Sequence, residues 1–481
     1  MSTPLSATAS GSAPLRTRSD GGVGASCSRE ELAALTGKYE RRAPRYTSYP
    51  PIPYWGEVTG ERVGQWLEEP AEGPVSLYTH IPFCRERCTY CGCFVVISPH
   101  HKPVNAYLEA LHAEMERARS RMPKARVVRQ YHLGGGSPTY LDGAEMTSLV
   151  EKARALFDFE SGAEMSIEVD PRTVGQDDVA RLRSLGFNRL SLGVQDFDPA
   201  VQEEVNRRQP APLVAKLVSA ARRLGFLSVN FDLIYGLPHQ TRATFARTME
   251  QVVQMAPDRV ALYNFAHLPH LFPHQRSMDT AVLPSAEEKL GIFLDARERM
   301  LGAGYASIGL DHFARNGDDL AVAWDNGTLR RNFMGYTTQA GTDLIGFGVS
   351  AISEYQGRYW QNEKKLSRYE RQVQGGRLPA VRGMELSADD RLRQAVMTGL
   401  FCRGRVTASE IKSRYGVDFG AYFGEALSAL RPLAEDGLVR VTAAGVDVTE
   451  LGKLFLRNIA HAFDAYAGSN PSAQPLFSRT V

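Results

Sequence analysis

Four cysteines fall within ten residues, Cys84, Cys88, Cys91 and Cys93, in the stretch HIPFCRERCTYCGCFVV. The other two of the chain's six, Cys27 and Cys402, lie far away. The CxxxCxxC spacing of Cys84, Cys88 and Cys91 places three thiolates around one small inorganic centre. A four-iron, four-sulfur cluster held by three cysteines rather than four keeps one iron open to a small molecule. Other uses of cysteine suit the pattern less. A structural zinc site draws on two CxxC-like pairs set about a dozen residues apart, and no second pair exists here. A disulfide framework belongs to small secreted scaffolds, not to 481 residues with six cysteines. A closed four-cysteine cluster needs a distant donor, for which Cys402 is the candidate.

The elements able to hold such a centre follow residue 74. Six strand-like runs, 75–81, 126–134, 163–170, 187–194, 228–236 and 258–266, are interleaved with amphipathic stretches at 103–121, 142–157, 177–185, 211–224 and 241–255. Strands alternating with helices predict a parallel sheet with right-handed crossovers. Six units predict an α/β fold, a partial (β/α)6 barrel, with 304–310 adding a further strand. In such barrels the chemistry gathers at the C-terminal strand ends, and the distinctive motifs fall there. The cysteine loop follows the first strand, GGGSPTY the second and GVQDF the fourth, while EVDP, DLIYGLP and FAHLP end the third, fifth and sixth.

The flanks read differently. Residues 1–36 are expected as a disordered tail, the first 28 being rich in Ser, Ala, Gly and Thr without the apolar core of a signal peptide. Residues 37–74 form an amino-terminal arm and 75–382 the barrel with an extension. From 383 to 481, helical segments at 387–401, 407–414 and 419–435 precede a hairpin at 438–449 and a helix at 450–466: a small, mostly helical, winged-helix-like domain. Such units often bind DNA, but residues 385–481 carry 11 basic and 11 acidic side chains. A basic footprint is therefore missing, and the domain reads as a lid over substrate. With 56 basic and 54 acidic residues overall, net +2, nothing argues for nucleic-acid or membrane-surface binding. No apolar run reaches the ~18 residues of a membrane-spanning helix. Clustered thiols need a reducing compartment, so a cytoplasmic location is expected.

Several rim residues have chemistry of their own. Gly134, Gly135 and Gly136 let backbone groups approach a ligand closely, making an adenosine or amino-acid cradle; a tight turn is the plainer use of the same residues. Glu168 and Asp232, each at a strand end, suit ribose hydroxyls or an ammonium group, or else cap a helix or join an ion pair. Tyr78 and Tyr90 flank the cysteines and offer faces to a cofactor, with core packing the alternative for Tyr78.

Taken in order, these motifs resemble those of the radical S-adenosylmethionine (SAM) enzymes, and more closely those of the oxygen-independent coproporphyrinogen III oxidase (dehydrogenase) family. The resemblance runs from residue 37 to 481 and includes PRYTSYP (44–50), HIPFCRERCTYCGC (80–93), GGGSPTYL (134–141), SIEVDPR (166–172), NFDLIYGLPHQT (230–241), GYTTQ (335–339) and FSRTV (477–481). It implies a [4Fe–4S] cluster on Cys84, Cys88 and Cys91, with SAM on the open iron and a second SAM nearby. Tyr78, Gly135, Glu168, Ala266 and Ile352 match positions lining the first SAM. Tyr90, Gly136, Ser137, Gln195, Arg207 and Asp232 match those around the second, with Tyr90 in place of an expected phenylalanine and Ser137 in place of a threonine. Cys93 is left beside the active site as a donor, a redox relay or a substitute ligand.

The resemblance implies loss of CO2 from two propionates of coproporphyrinogen III by a 5′-deoxyadenosyl radical route, giving protoporphyrinogen IX in porphyrin and haem biosynthesis. A substrate with four carboxylates calls for cationic donors, and Arg45, Arg315 and Arg331 are the candidates, each of them equally suited to a structural ion pair. Tyr46, Asp311, His312, Tyr336 and Gln339 lie in selective motifs and are expected to face the tetrapyrrole. A reducing donor such as flavodoxin or ferredoxin would supply electrons, and nothing demands an oligomer. Three rivals remain: a haem chaperone on the same scaffold, a radical SAM methyltransferase, and a winged-helix regulator with an iron–sulfur sensor. Chaperone relatives generally lack the fourth cysteine and the PRYTSYP arm, both of which are present.

Overall fold

The computed structural model describes residues 27–467 and 477–480. Strands β1 (Val75–Ile81), β2 (Val127–Gly135), β3 (Asp158–Val169), β4 (Arg189–Gln195), β5 (Ser228–Tyr235) and β6 (Arg259–Asn264) run parallel, each bonded to the next. β1 reads VSLYTHI and buries all but Tyr78, the pattern of a strand covered on both faces. Between the strands, helices Pro103–Arg121, Gly143–Leu156, Gln176–Ser184, Ala211–Arg223 and Arg242–Met255 return the chain. Leu77, Val128, Leu133, Ile167, Leu192 and Phe231 form the main core together with apolar residues of the covering helices such as Leu111, Val150 and Phe245.

The sheet does not close. Beyond β6 the antiparallel strand His312–Arg315 comes first and Tyr305–Ile308 pairs with it in turn. The further strand expected at 304–310 is therefore present and runs in the β6 direction, with a reversed strand between them. Beyond β1, Asp343–Phe347 adds a parallel strand, and Ile352–Tyr355, Arg358–Asn362, Ala380–Glu385 and Gly56–Glu57 follow antiparallel. The result is a 13-stranded sheet whose central arc is the expected partial barrel.

Three expectations at the flanks need correction. A helix, Arg29–Tyr39, spans the boundary at 36 set for the disordered tail. Ser28 and Glu31 form a capping box at its start, and Leu32 and Tyr39 are buried. Composition averaged over a Ser-rich stretch hides such a local signal. Residues 1–26 of the expected tail lie outside the described residues. In the C-terminal region the expected helix 419–435 is three short ones, Phe419–Tyr422, Gly424–Ala429 and Arg431–Glu435. Gly424 and Pro432 interrupt it, since each disfavours a continuous helix interior. The final helix shrinks to Leu456–His461.

The hairpin is Val439–Thr442 with Gly445–Val448, joined by Arg405–Thr407 into a small sheet. Tyr46 and Tyr49 of the arm share one core with Ile308, Leu329, Phe401, Phe423, Ile459 and Phe463. Arm, sheet edge and C-terminal helices are thus packed as one body. Among the described residues no helix is long and apolar enough to cross a membrane.

Candidate active site

The cysteine loop leaves the C-terminal end of β1. Phe83–Cys84 pairs with Val96–Ile97, pinning both ends of the loop. His274 Nε2 meets Cys91 O at 2.7 Å, and Gln275 Nε2 donates to Tyr90 O at 3.2 Å. All four cysteines are free, Cys88 buried and Cys93 open at the mouth. Burial pushes the Cys84 thiol up to about 12, and the neighbouring Cys91 and Cys88 add to this. The Cys93 S–H donates to Cys91, drawing the Cys91 thiol down to about 7 and holding Cys93 protonated. Arg207 Nη1 lies 3.6 Å from Cys88 Sγ and Arg172 Nη2 lies 3.9 Å from it.

A single ion with metal–sulfur bonds of about 2.3 Å needs its thiolates about 4 Å apart. Among the described residues no three cysteines gather that closely; the one such set of ligand atoms is His101, Asp142 and Glu145, on the surface. Three free thiols that sense one another's charge yet stand further apart suit a four-iron centre better than one metal ion. The residues present therefore fit the cluster.

Next to the loop, β2 ends in the glycine run. Gly135 has φ 121 and its N–H donates to Glu168 Oε2 at 3.0 Å. A Cβ there would sit 2.7 Å from the His80 ring, so glycine is required twice over, by conformation and by space. At Gly136 a Cβ would meet Pro82 O at 2.6 Å. Ser137 is buried, its Oγ 3.3 Å from Thr139 Oγ1. Burial would push Glu168 up, but His132 and the Gly135 N–H outweigh it and keep the carboxylate ionised. Tyr78 stacks on His132 at 5.9 Å and its hydroxyl reaches His80 Nδ1 at 2.9 Å.

Gln195 ends β4 with φ 63, an uncommon conformation for a residue with a side chain. Beside it the buried Arg207 donates to Gly193 O at 2.9 Å and pairs with Asp170 at 3.2 Å. Asp232 on β5 accepts from Ser191 Oγ at 2.7 Å, and burial pushes its carboxyl up to about 6. Tyr90 packs against Val201, Val205, Leu237, Phe265 and Met278. Ala266 follows β6, and Ile352 begins the strand beyond Asp343–Phe347. The expected cofactor residues thus surround the cysteine loop on successive strand ends, Ile352 reaching the rim from the far edge.

The expected substrate residues divide. Arg45 donates to Asn264 O at the end of β6 at 2.9 Å and lies 3.8 Å from Asp311. Asp311 accepts from His312 Nδ1 at 2.7 Å. Burial would raise the Asp311 carboxyl, but His312, Arg45 and Arg331 bring it down to about 2. The His312 ring stands edge-on to Tyr263 and Tyr336. Arg331 donates to Arg45 O at 2.9 Å and stacks over Tyr336.

Three residues lie elsewhere. Tyr46 is core, its hydroxyl bonded to Asp464 at 3.0 Å, because the arm turns it inward with φ 49. Arg315 is exposed and its N–H bonds Asp258 O, ahead of β6, so it lies at the opposite end of the barrel. Gln339 follows Thr337, which meets Gln130 early in β2, and Thr342 meets Ser76 early in β1. Its segment therefore lies toward the N-terminal strand ends, away from the cysteine loop. A selective motif marks a residue as constrained without saying by what.

Sequence reasoning passed over His80, His132, Asp170, Arg172 and Tyr263. His132 was findable, since it lies two residues before Gly134 and strand alternation puts both on one face. Lys289 was not: it comes from a distant helix to a half-buried position beside Phe265 O, at 3.4 Å, and burial pulls its amine down to about 8.

The open-sided barrel and its three-thiol rim define a member of the radical SAM superfamily, whose family model matches residues 78–252. A second model, the HemN C-terminal domain, matches 386–455. The oxygen-independent coproporphyrinogen III oxidase of Salmonella typhimurium is 45% identical over 93% of this chain and 98% of its own length. The Escherichia coli enzyme is 44% identical over 93% and 98%. The solved structure of coproporphyrinogen III oxidase (HemN) from Escherichia coli, a radical SAM enzyme, superposes with a TM-score of 0.86, covering 90% of this chain and 98% of that one. The chain belongs to the oxygen-independent coproporphyrinogen III oxidase family. Members of the superfamily use a [4Fe–4S] cluster and SAM.

Proposed function

We propose that this chain converts two propionate side chains of coproporphyrinogen III to vinyl groups, giving protoporphyrinogen IX. The observation that carries the reading is one continuous path along the rim. The three-thiol loop and the Gly135–Glu168 cradle lead through Asp232 and Tyr263 to the cations Arg45 and Arg331. A chamber bordered by a cluster site and by arginines suits a substrate rich in carboxylates.

Each conversion removes one hydrogen atom from the propionate carbon bonded to the ring, β to the carboxylate, releases CO2 and passes one electron to an acceptor, leaving a double bond. The cluster and SAM supply the hydrogen-abstracting 5′-deoxyadenosyl radical when bound. In this reading Cys84, Cys88 and Cys91 hold the cluster. Tyr78, Gly135, Glu168, Ala266 and Ile352 hold one SAM, while Tyr90, Gly136, Ser137, Gln195, Arg207 and Asp232 hold a second. Arg45, Arg331 and Lys289 attract carboxylates, and Asp311 pairs with Arg45. The apolar walls of Leu237, Phe265 and Tyr263 keep water from a reactive carbon.

Electrons would come from a small reducing donor such as flavodoxin or ferredoxin, to a cytoplasmic monomer that binds neither nucleic acid nor membrane. The barrel spans about 75–382, and the C-terminal unit from 383 serves as a lid. Anaerobic incubation of reconstituted protein with coproporphyrinogen III, SAM and reductant tests the proposal. Divinyl product supports it; a methylated porphyrinogen, or bound haem with no vinyl product, overturns it.

A further inference from the structure

Arg457 is buried, at 8% exposure, and donates to backbone rather than to an acid. Its Nε reaches Pro44 O at 3.2 Å, Nη1 reaches Arg479 O at 2.7 Å, and Nη2 bonds Ala43 O, Ser478 O and Ser478 Oγ. Four carbonyls from two segments nearly 440 residues apart in sequence converge on one guanidinium. The same segments pair directly: Ala43 N–H bonds Ser478 O at 3.3 Å, Thr480 N–H bonds Arg41 O at 2.8 Å, and Arg42 faces Arg479 in an antiparallel bridge. Arg479 also pairs with Glu40 at 2.7 Å.

Burying a guanidinium without a carboxylate is unfavourable unless its donors are filled. Here they are filled by the arm and the tail, which carry no helix or long strand of their own at these residues. The arm continues directly into Arg45, which spans Asn264 and Asp311 at the chamber wall.

Resting on the proposed function, we infer that Arg457 and the Ser478–Thr480 tail are a latch that positions the arm, so that tetrapyrrole affinity depends on residues touching neither substrate nor cofactor. Lysine at 457 keeps the charge but has no planar fork to serve two segments at once. The Arg457→Lys protein is therefore expected to show a KM for coproporphyrinogen III raised about tenfold, a loss of about 1.4 kcal/mol. Its kcat should change by less than about threefold, and its cluster spectrum and SAM affinity should be unchanged. Chain ending at residue 476 should behave alike. An unchanged KM in either folded variant overturns the latch, as does a rise in KM matched by lost SAM affinity.

Should both variants misfold, hydrogen exchange on the wild-type protein decides. Adding the non-reacting oxidised ligand coproporphyrin III should slow exchange at Ala43 and Thr480 together. Protection of the arm alone, or of neither, contradicts the latch. Because this readout needs no turnover, it separates failure of the latch from failure of the decarboxylase reading.

Discussion

The two halves of the chamber are built in opposite ways. On the cofactor side, one βα unit after another delivers its loop to the same rim, and the partners of each residue lie one or two strands away. On the substrate side, Arg45, Asp311, Arg331 and Lys289 come from an arm, a strand edge, a hairpin and a helix spread over more than 280 residues. The first half is held by the barrel, which folds for its own reasons. The second is held by long-range contacts among the arm, the end of β6, the hairpin that carries Arg331 and the C-terminal unit. Damage to the first should abolish chemistry outright, whereas damage to the second should alter affinity by degrees.

The largest effect is expected at the cysteines. Replacing Cys84, Cys88 or Cys91 with alanine should eliminate bound iron and SAM cleavage while leaving the circular-dichroism spectrum unchanged, because the loop lies outside the main core. A variant that keeps its cluster would break the comparison at its strongest point.

Gly135→Ala comes next. Its methyl must displace the His80 ring at a backbone conformation side chains avoid, so SAM affinity should fall about tenfold or more with the iron content intact. Calorimetric titration of SAM into reconstituted protein measures this.

On the other side, Arg331→Ala should raise the KM for coproporphyrinogen about tenfold, and substrate-free SAM cleavage should stay as in the wild type. Steady-state kinetics in both modes would separate the halves.

The last effect is one on stability rather than on turnover, a pH dependence. Asp311 falls from an ordinary value of 3.8 to about 2 in the folded chain. A lowered folded value means stability present above pH 3.8 and lost as pH falls toward 2. Asp311→Asn should therefore cost on the order of 2 kcal/mol at neutral pH, with the gap to wild type closing in that acid window. Urea midpoints across acid pH would show it, and a gap independent of pH would remove Asp311 from the ion network.

What the sequence made legible follows the same division. Strand periodicity and motif order put Cys84, Gly135, Glu168, Gln195 and Asp232 on successive strand ends, because a βα unit is a local object. His132 was readable by alternation and was missed for want of a partner motif. Arg315 lies close in sequence to His312 and Gln339 shares a motif with Tyr336, but both end up away from the rim, since a reversal at 309–312 and the turn before Asp343 set their ends. Lys289 and Arg457 have no local signature, because what makes each distinctive is burial beside segments hundreds of residues away. The helix at 29–39 was lost to an average over its Ser-rich neighbours, although its capping box stands in the letters themselves.

The central claim is that the rim brings a hydrogen-abstracting cofactor to the ring-adjacent carbon of a propionate held by arginines. It is tested most directly with coproporphyrinogen III deuterated at that carbon, SAM and reductant under anaerobic conditions. The account predicts one deuterium in 5′-deoxyadenosine for each vinyl group formed. Vinyl product with unlabelled 5′-deoxyadenosine, or labelled 5′-deoxyadenosine with the propionates intact, would contradict it.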